Sequence, residues 1–410
     1  MDDQFTELPV MENIRGSCAI GATVILKAKE NGYSITRAAR RYSGIHGGKV
    51  YEIIVPYSIK IPALSKTQAI VSWFKPGGVC AARSYLDIIS DDVMKINYHV
   101  PEDVTEMEIE YRLWSDGGGE AEFGMPVVTG PATYVPRVVN LATAWFDTNE
   151  NRTLDKNLTD ILRIADNAGR AADKPDILAF FEAVYGRGVP GVKLAEAAVR
   201  LDGEVINRLK QKAARYKMYI VVGLHIIDGG QYKNAAVILD RSGSVTGVYI
   251  KTHLTMEERE RGLVSGTELP VFDLDFGRVG ILICWDHFFS EPVRVLHQKG
   301  AEVIIIPTAG DTLYQCRARA VDSGAYVVMS GTRNNKSSFI MEPAKGETIA
   351  AVAENGPGYA SASVDLNKRQ TLHWLSVGPC DGEGKNIYLH ERRPELYGDL
   401  AKEDRYDVRH

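Results

Sequence analysis

In the N-terminal part of the chain, apolar and polar positions alternate in short runs. Between about residue 15 and residue 130 these runs read "ATVILKA", "KVYEIIVPY", "QAIVSWF", "VMKINYHV" and "EMEIEYRLW". The clusters between them, "GIHGG", "KPGG" and "DGGG", have turn composition. No amphipathic helix interrupts the series. A period of two with regular turn signals predicts a small antiparallel β-sandwich. The stretch "TGPATYVPRV", residues 129–138, carries two prolines and a glycine and marks a boundary. Two domains are predicted, 1–135 and 136–410.

Past the boundary the period changes from element to element. "RVVNLATAW", "DILAFFEAVY", "MYIVVGLHI" and "AEVIIIPTAG" read as apolar strands. "TLDKNLTDILRIADNAGRAA", "KLAEAAVRLDGEVINRLKQKAARYK" and "SEPVRVLHQKG" have helical spacing. "NAAVILDRSGSVTGVYIK" reads as a hairpin around "RSGS", and "VFDLDFGRVGILIC" as two strands around "FGR". Strands alternating with helices predict an α/β layered domain whose strands are covered on both faces. Functional groups in such domains gather at strand ends and the loops that follow.

Composition narrows the setting. The 410 residues are 45% hydrophobic and 25% charged, an ordinary globular composition. Lys and Arg number 48 against 53 Asp and Glu, a formal charge of -5, with both signs interspersed. No basic face for nucleic acid or for a membrane surface is predicted. "MDDQFTELPVMENIRGS" has neither the basic nor the apolar region of a signal sequence, and no apolar stretch reaches spanning length, so a cytoplasmic protein is expected. Cys18, Cys80, Cys284, Cys316 and Cys380 are odd in number and widely spaced. Neither a disulfide framework nor a zinc site is expected, and at least one thiol is free for chemistry. His225, His253, His287 and His297 lack ligand spacing, so neither metal nor cofactor is expected.

Glu182, Lys251 and Cys284 each sit at or near the end of a predicted strand. Taken singly, each has an unremarkable reading: a solvated carboxylate, a snorkelling lysine, an inert core thiol. Glu182 is the oddest, because a Glu within "AFFEAVY" is costly to bury unless a cation or donor meets it.

Taken together they resemble the nitrilase superfamily of carbon-nitrogen hydrolases. The resemblance lies in "NAAVILDRSGSVTGVYIKTHL" before the lysine and "PVFDLDFGRVGILICWDHFFSEP" around the cysteine. It continues through "GAEVIIIPTAG", "RARAVDSGAYVVMSGT" and "RRPELY", spanning roughly residues 137–400. One departure is local, since the superfamily usually has Pro directly before the glutamate and this chain has Phe181. The resemblance implies a four-layer α-β-β-α sandwich, a Glu182-Lys251-Cys284 triad, and assembly into a homodimer or higher homo-oligomer. It also implies a second carboxylate in the loop after the lysine. That loop, "THLTMEERERGLVSG", offers Glu257, Glu258 and Glu260, which spacing does not separate; Glu258 is taken.

The chemistry suits the triad. A thiol with a pKa near ~8.5 needs a base or a cation to attack a carbonyl or nitrile carbon at neutral pH. Glu182 serves as that base, then as acid to the leaving nitrogen, then as base to the hydrolytic water. Lys251 and the Trp285 backbone N–H are the expected oxyanion donors. Competing signatures are absent: no G-x-S-x-G elbow occurs, and Ser290 and Asp322 stand where a phosphatase loop needs Arg. "DGGGEAEFG" has no helix after it and reads as a turn.

Nitrilases proper usually carry Trp-Glu after the cysteine, whereas this chain carries Trp285-Asp286, the amidase-like pattern. The expected activity is thioester-forming hydrolysis of a small amide by water, followed by N-carbamoyl hydrolysis and nitrile hydrolysis as alternatives. An inactive scaffold is the alternative of another class. Tyr185, Trp285, His287 and the stretch "TAGDTLYQ", residues 308–315, are the expected substrate contacts.

Overall fold

The computed structural model of the chain describes residues 4–12, 15–60, 66–148, 151–310, 312–332, 337–353, 355–356 and 358–402. The chain forms two units, one of residues 1–135 with 371–410 and one of residues 136–370.

The first unit is built from two sheets of mostly antiparallel strands. In one, the strands run in the order Thr6–Glu7, Ser34–Ser43, Glu106–Ser115, Lys66–Phe74, Cys80–Tyr85, Asp381–Glu383 and Thr371–His373. The other contains Ser17–Ile20, Val24–Lys27, Glu120–Phe123, Lys49–Lys60, Val93–His99 and Asp87–Ser90, with Val127–Thr133 also paired to Lys49–Lys60. Alternate residues point inward, and Val24, Ile53, Val55, Val71, Trp73, Ile109, Tyr111 and Phe123 form one buried core.

The expectation that a second domain runs to residue 410 is corrected, because residues 371–402 pack into this first unit. The Cys80–Tyr85 strand would otherwise present an unpaired edge. Asp381 pairs alongside Ala82 on that edge. Asn386 accepts from the Tyr85 N–H at 2.9 Å and donates to its carbonyl at 3.1 Å. The Tyr85 hydroxyl donates to Glu391 at 2.7 Å. A disulfide joins Cys80 to Cys380 across 300 residues, so the expected absence of disulfides is corrected too. "RRPELY" follows the same segment and stands outside the layered unit.

The second unit has two six-stranded sheets. In the first, Val138–Ala144, Ile177–Ala179 and Tyr219–Asp228 run parallel. In the second, Gly277–Ile281, Val303–Pro307 and Tyr326–Ser330 do so. Their strands are apolar on both faces, as strands covered on two sides must be. Val139, Leu141, Ile177, Val221, Val279, Val303 and Val328 meet between the sheets. Ala142, Leu178, Ile220 and Val222 face the helices Leu154–Gly169 and Glu204–Tyr216. Leu282, Ile304, Ile306 and Val327 face Ser290–Gln298 and Leu313–Ser323. The layers are therefore helix, sheet, sheet, helix, as expected.

Two elements differ from their sequence patterns. "DILAFFEAVY" is strand only at Ile177–Ala179, after which the apolar side chains bury in a turn. "KLAEAAVRLDGEVINRLKQKAARYK" divides into Leu194–Ala197 and Glu204–Tyr216, because Gly203 starts the second helix. Among the described residues no helix is long and apolar enough to cross a membrane.

Candidate active site

The site is assembled at the carboxyl ends of strands, where chain leaving both sheets converges. Glu182 lies three residues past Ile177–Ala179, Lys251 directly follows Val245–Ile250, and Cys284 lies three past Gly277–Ile281. The backbone at two of these turns is constrained. Ala183 and Cys284 have φ of 51° and 45°, the left-handed region that side chains avoid. At Cys284 this sharp turn opens the 3-10 helix Cys284–Phe288. Trp285 is the second residue of that helix, so its N–H comes before the first that donates within it, Asp286 N–H to the Ile283 carbonyl at 3.0 Å. Around Glu182 the turn stays fastened to the neighbouring strand, with Phe180 N–H on the Val221 carbonyl and Val184 N–H on the Gly223 carbonyl. Only glycine fits at 223, since a Cβ there would stand 2.5 Å from the Phe181 carbonyl oxygen and 2.8 Å from the Glu182 Cα.

Glu182 and Lys251 are buried, at 3% and 1% exposure. Lys251 Nζ donates to Glu182 Oε1 at 2.8 Å and to Glu258 at 2.9 and 2.8 Å. Asn234 Nδ2 donates to the same two carboxylates, at 2.8 Å to Glu182 Oε1 and 2.6 Å to Glu258 Oε1. Glu182 Oε1 thus carries two hydrogen bonds. On Oε2 the charged neighbour is Arg187, with Nη2 3.5 Å away. Glu258 is fixed by a capping box, taking the Thr255 N–H at 2.8 Å while its own N–H meets the Thr255 hydroxyl. This settles the geometric choice in the "EERER" run: Glu258 is the carboxylate turned inward onto the lysine, and Glu257 is largely exposed.

The electrostatics follow from burial and pairing. Burial pushes the Glu182 carboxyl up, but Lys251, Arg187 and Asn234 outweigh it and hold the group below its ordinary value. Burial pulls the Lys251 ammonium down, but Glu182, the Cys284 sulfur and Glu258 raise it overall. Burial and the Glu182 charge push the Cys284 thiol up, offset only in part by Lys251 and by hydrogen bonds from Thr308 and Ala309. The resting state is therefore a neutral thiol beside an ionised glutamate. His225 is held down to about 4 by burial and is neutral.

Glu182, Asn234, Lys251, Glu258, Cys284, His225 and Ala309 line one cavity of about 650 Å³, with Arg187, Lys193, Glu257 and Arg261 on its other walls. The expected substrate contacts are placed differently. Tyr185 packs against the hydrophobic core, Trp285 is 40% exposed, and His287 is buried; none of the three lines this cavity. His287 instead hydrogen-bonds the Cys284 carbonyl through Nδ1 and Thr312 Oγ1 through Nε2 at 2.7 Å. A carbonyl only accepts, so Nδ1 carries the proton, and the neutral ring, held down to about 4 by burial, braces the cysteine turn from behind. Of the 308–315 stretch, Ala309 reaches the cavity, and Asp311 lies outside the described residues.

Sequence reasoning missed Arg187 and Asn234, and it gave Asp286 no structural part. Asp286 is fully buried and accepts from Ile283 N–H at 2.8 Å, Tyr249 OH at 2.7 Å and His253 N–H at 2.7 Å. It ties the cysteine turn to the lysine loop. Among the described residues no group of three or more His, Cys, Asp or Glu is arranged to hold a metal ion.

Comparison with known proteins places the layered unit in a family. The family model for carbon-nitrogen hydrolases matches residues 138–373, more than half of the chain. The chain belongs to the carbon-nitrogen hydrolase family. The match ends near residue 373, so the family resemblance stops short of the expected residue 400. A citrullinase of Francisella tularensis is 29% identical over 288 residues, covering 63% of this chain and 95% of that protein. A probable nitrilase of Schizosaccharomyces pombe is 29% identical over 231 residues, 52% of this chain and 79% of its own length. The mouse deaminated glutathione amidase is 28% identical over 231 residues, 49% and 68% of the two chains. Among solved structures, an amidase from a Nesterenkonia species superposes with a TM-score of 0.50 at 22% identity, covering 66% of this chain and 99% of that one. A carbon-nitrogen hydrolase from Helicobacter pylori gives 0.53 at 18%, covering 65% and 99%. These likenesses establish the fold of the layered unit.

Proposed function

We propose that the chain hydrolyses a small amide through a thioester on Cys284, with Glu182 as the base. The observation that carries this reading is the division of labour at Glu182. Oε1 is held by Lys251 and Asn234, while Oε2 faces Arg187 at a longer distance, in a cavity that the Cys284 sulfur also lines.

The raised thiol pKa makes spontaneous ionisation a minor route, so attack needs a general base. Glu182 Oε2 takes the thiol proton as Sγ bonds to the carbonyl carbon. Negative charge moves to the carbonyl oxygen, met by the Lys251 ammonium and the Trp285 N–H. Glu182 returns the proton to the nitrogen, the C–N bond breaks, and ammonia or an amine leaves a thioester. Water, deprotonated by Glu182, attacks the thioester, and collapse of that intermediate releases the acid and restores the thiol. Glu258 and Asn234 hold Lys251 and Glu182 in register throughout.

The choice of amide rests on Trp285-Asp286 following the cysteine. The mouse relative is a deaminated glutathione amidase and the fission-yeast relative a probable nitrilase. The sandwich unit of residues 1–135 with 371–402 acts as an accessory unit, and the protein works as a homodimer or larger homo-oligomer, which light scattering tests. A catalytic thiol works only when reduced, which favours a cytoplasmic setting. The decisive experiment is an ammonia-release screen over amides, N-carbamoyl compounds and nitriles with the Cys284→Ala protein as blank. Release from an amide is expected; silence across the panel contradicts the reading.

A further inference from the structure

We propose that the cavity selects an amide whose acyl portion ends in an anionic group, a carboxylate remote from the scissile bond. The proposal rests on the hydrolase reading above and names its substrate class. It comes from the charges that the chemistry does not use. Inside the cavity, Glu182 and Glu258 are matched by Lys251 and Arg187, two charges of each sign. Among the described lining residues, Lys193 and Arg261 then stand against Glu257 alone.

The cations along this wall are also under-engaged. Arg261 Nη1 is 3.7 Å from Glu257 Oε1, beyond a hydrogen bond, and the Glu257 side chain is mostly in solvent. Arg187 Nη2 gives the Glu182 carbonyl a long hydrogen bond of 3.4 Å and lies 3.5 Å from its Oε2, and among the described residues its Nε is buried without a partner. Arginines of the same unit that serve structural pairs hold their carboxylates closer, at 2.7 Å for both Arg241–Asp275 and Arg278–Asp273. A wall of loosely held guanidinium and ammonium groups around a nucleophile is arranged to complete its hydrogen bonds with an incoming anion. A cavity of about 650 Å³ has room for a short acyl chain between the sulfur and that wall.

The test compares three amides of equal chain length on the full-length protein: glutaric monoamide, pentanamide, and the ω-amino derivative of pentanamide. The monoamide should have a kcat/KM at least ~10-fold above pentanamide, the gain expected from one hydrogen bond to a charged group. The ω-amino compound should be the poorest. In Lys193→Gln/Arg261→Gln the ratio of monoamide to pentanamide should fall toward one, chiefly through KM. Because the ratio is taken within each protein, a poorly folded fraction cancels. A ratio near one in the wild type, preference for the cationic amide, or a ratio unchanged in the double variant would overturn the proposal. Calorimetric titration of the Cys284→Ala protein with the monoamide and pentanamide separates the two layers of the argument. Tighter binding of the monoamide without turnover by the wild type would retain the anion site and reject the hydrolase reading. Equal binding with active turnover would do the reverse.

Discussion

Each unit of the molecule buries a glutamate against cations, and the two are put to different ends. In the sandwich, Glu110 is 2% exposed and takes Arg37 through Nε at 2.6 Å and Nη2 at 3.0 Å, with Arg112 adding 3.1 and 3.0 Å to Oε1. Both oxygens are satisfied by guanidinium forks on neighbouring strand positions. In the layered unit, Glu182 is equally buried and also held below its ordinary pKa, yet one oxygen is left loosely held in a cavity beside a thiol. Burial and a lowered pKa therefore do not distinguish structure from chemistry. What distinguishes them in the proposed mechanism is an incompletely satisfied oxygen next to a thiol, on backbone bent into the left-handed region at Ala183 and Cys284.

The largest expected effect concerns the pair as a unit. Cys284→Ala should end turnover, and Glu182→Gln/Cys284→Ala should be scarcely worse, because groups that act in one step are not additive. Losses that multiply across the two substitutions, measured by residual rates on one amide, would show that the two residues act separately.

The sandwich glutamate has the next largest expected effect. Glu110→Gln should lower stability by about 1–3 kcal/mol, since two arginines lose a buried charged partner while remaining partly solvated. It should leave kcat unaltered. Glu182→Gln should lower kcat by at least ~100-fold, with a loss of stability tempered because Lys251 keeps Glu258. Calorimetry paired with activity assays would show whether the two glutamates trade places.

The pH profile gives a third, smaller effect. Glu182 titrates below the usual carboxylate range, so its stabilising contribution is present above the unfolded value of ~4.3 and is lost as pH falls through its lower folded value. Activity should follow the same limb. With the thiol raised, kcat/KM should be flat from about pH 6 to 8. An acid limb centred near neutrality would assign the base to another group.

The smallest effect is in thiol order. Among the described residues, Cys18, Cys284 and Cys316 stand outside the disulfide. Burial pushes Cys18 up to about 11, and Cys316 is fully buried. Iodoacetamide should label Cys284 first, and Cys80 should remain unlabelled without reductant. Peptide mapping that found Cys18 or Cys316 ahead would contradict the open approach to Cys284.

Much of this was legible in the sequence, for identifiable reasons. Strands apolar on both faces, helices of period 3.6 and the flanks of Lys251 and Cys284 are local patterns, and local patterns survive reading one chain at a time. The rest depends on meetings between distant positions. Asn234 sits 52 residues from Glu182 at the start of an apolar run, and nothing in "NAAVIL" says which carboxylates it will face. Arg187 follows Glu182 closely, but "YGRGVPG" reads as loop. Trp285 and His287 flank Cys284 in sequence, yet the sharp turn there sends one outward and the other behind it. The return of residues 371–402 to the sandwich, and the Cys80–Cys380 bond, join segments 300 residues apart, and the returning strands, Thr371–His373 and Asp381–Glu383, are only three residues long.

The measurement that bears most directly on the account is kcat/KM of Glu182→Gln for an identified amide across pH 6 to 9. Gln keeps the shape and the hydrogen bond from Lys251 but cannot take a proton. The account predicts a loss of at least ~100-fold at every pH, the usual consequence of removing a general base. Turnover near the wild-type rate across that range would contradict it, since Glu258, the other buried carboxylate of the cluster, is bound to Lys251 by both oxygens.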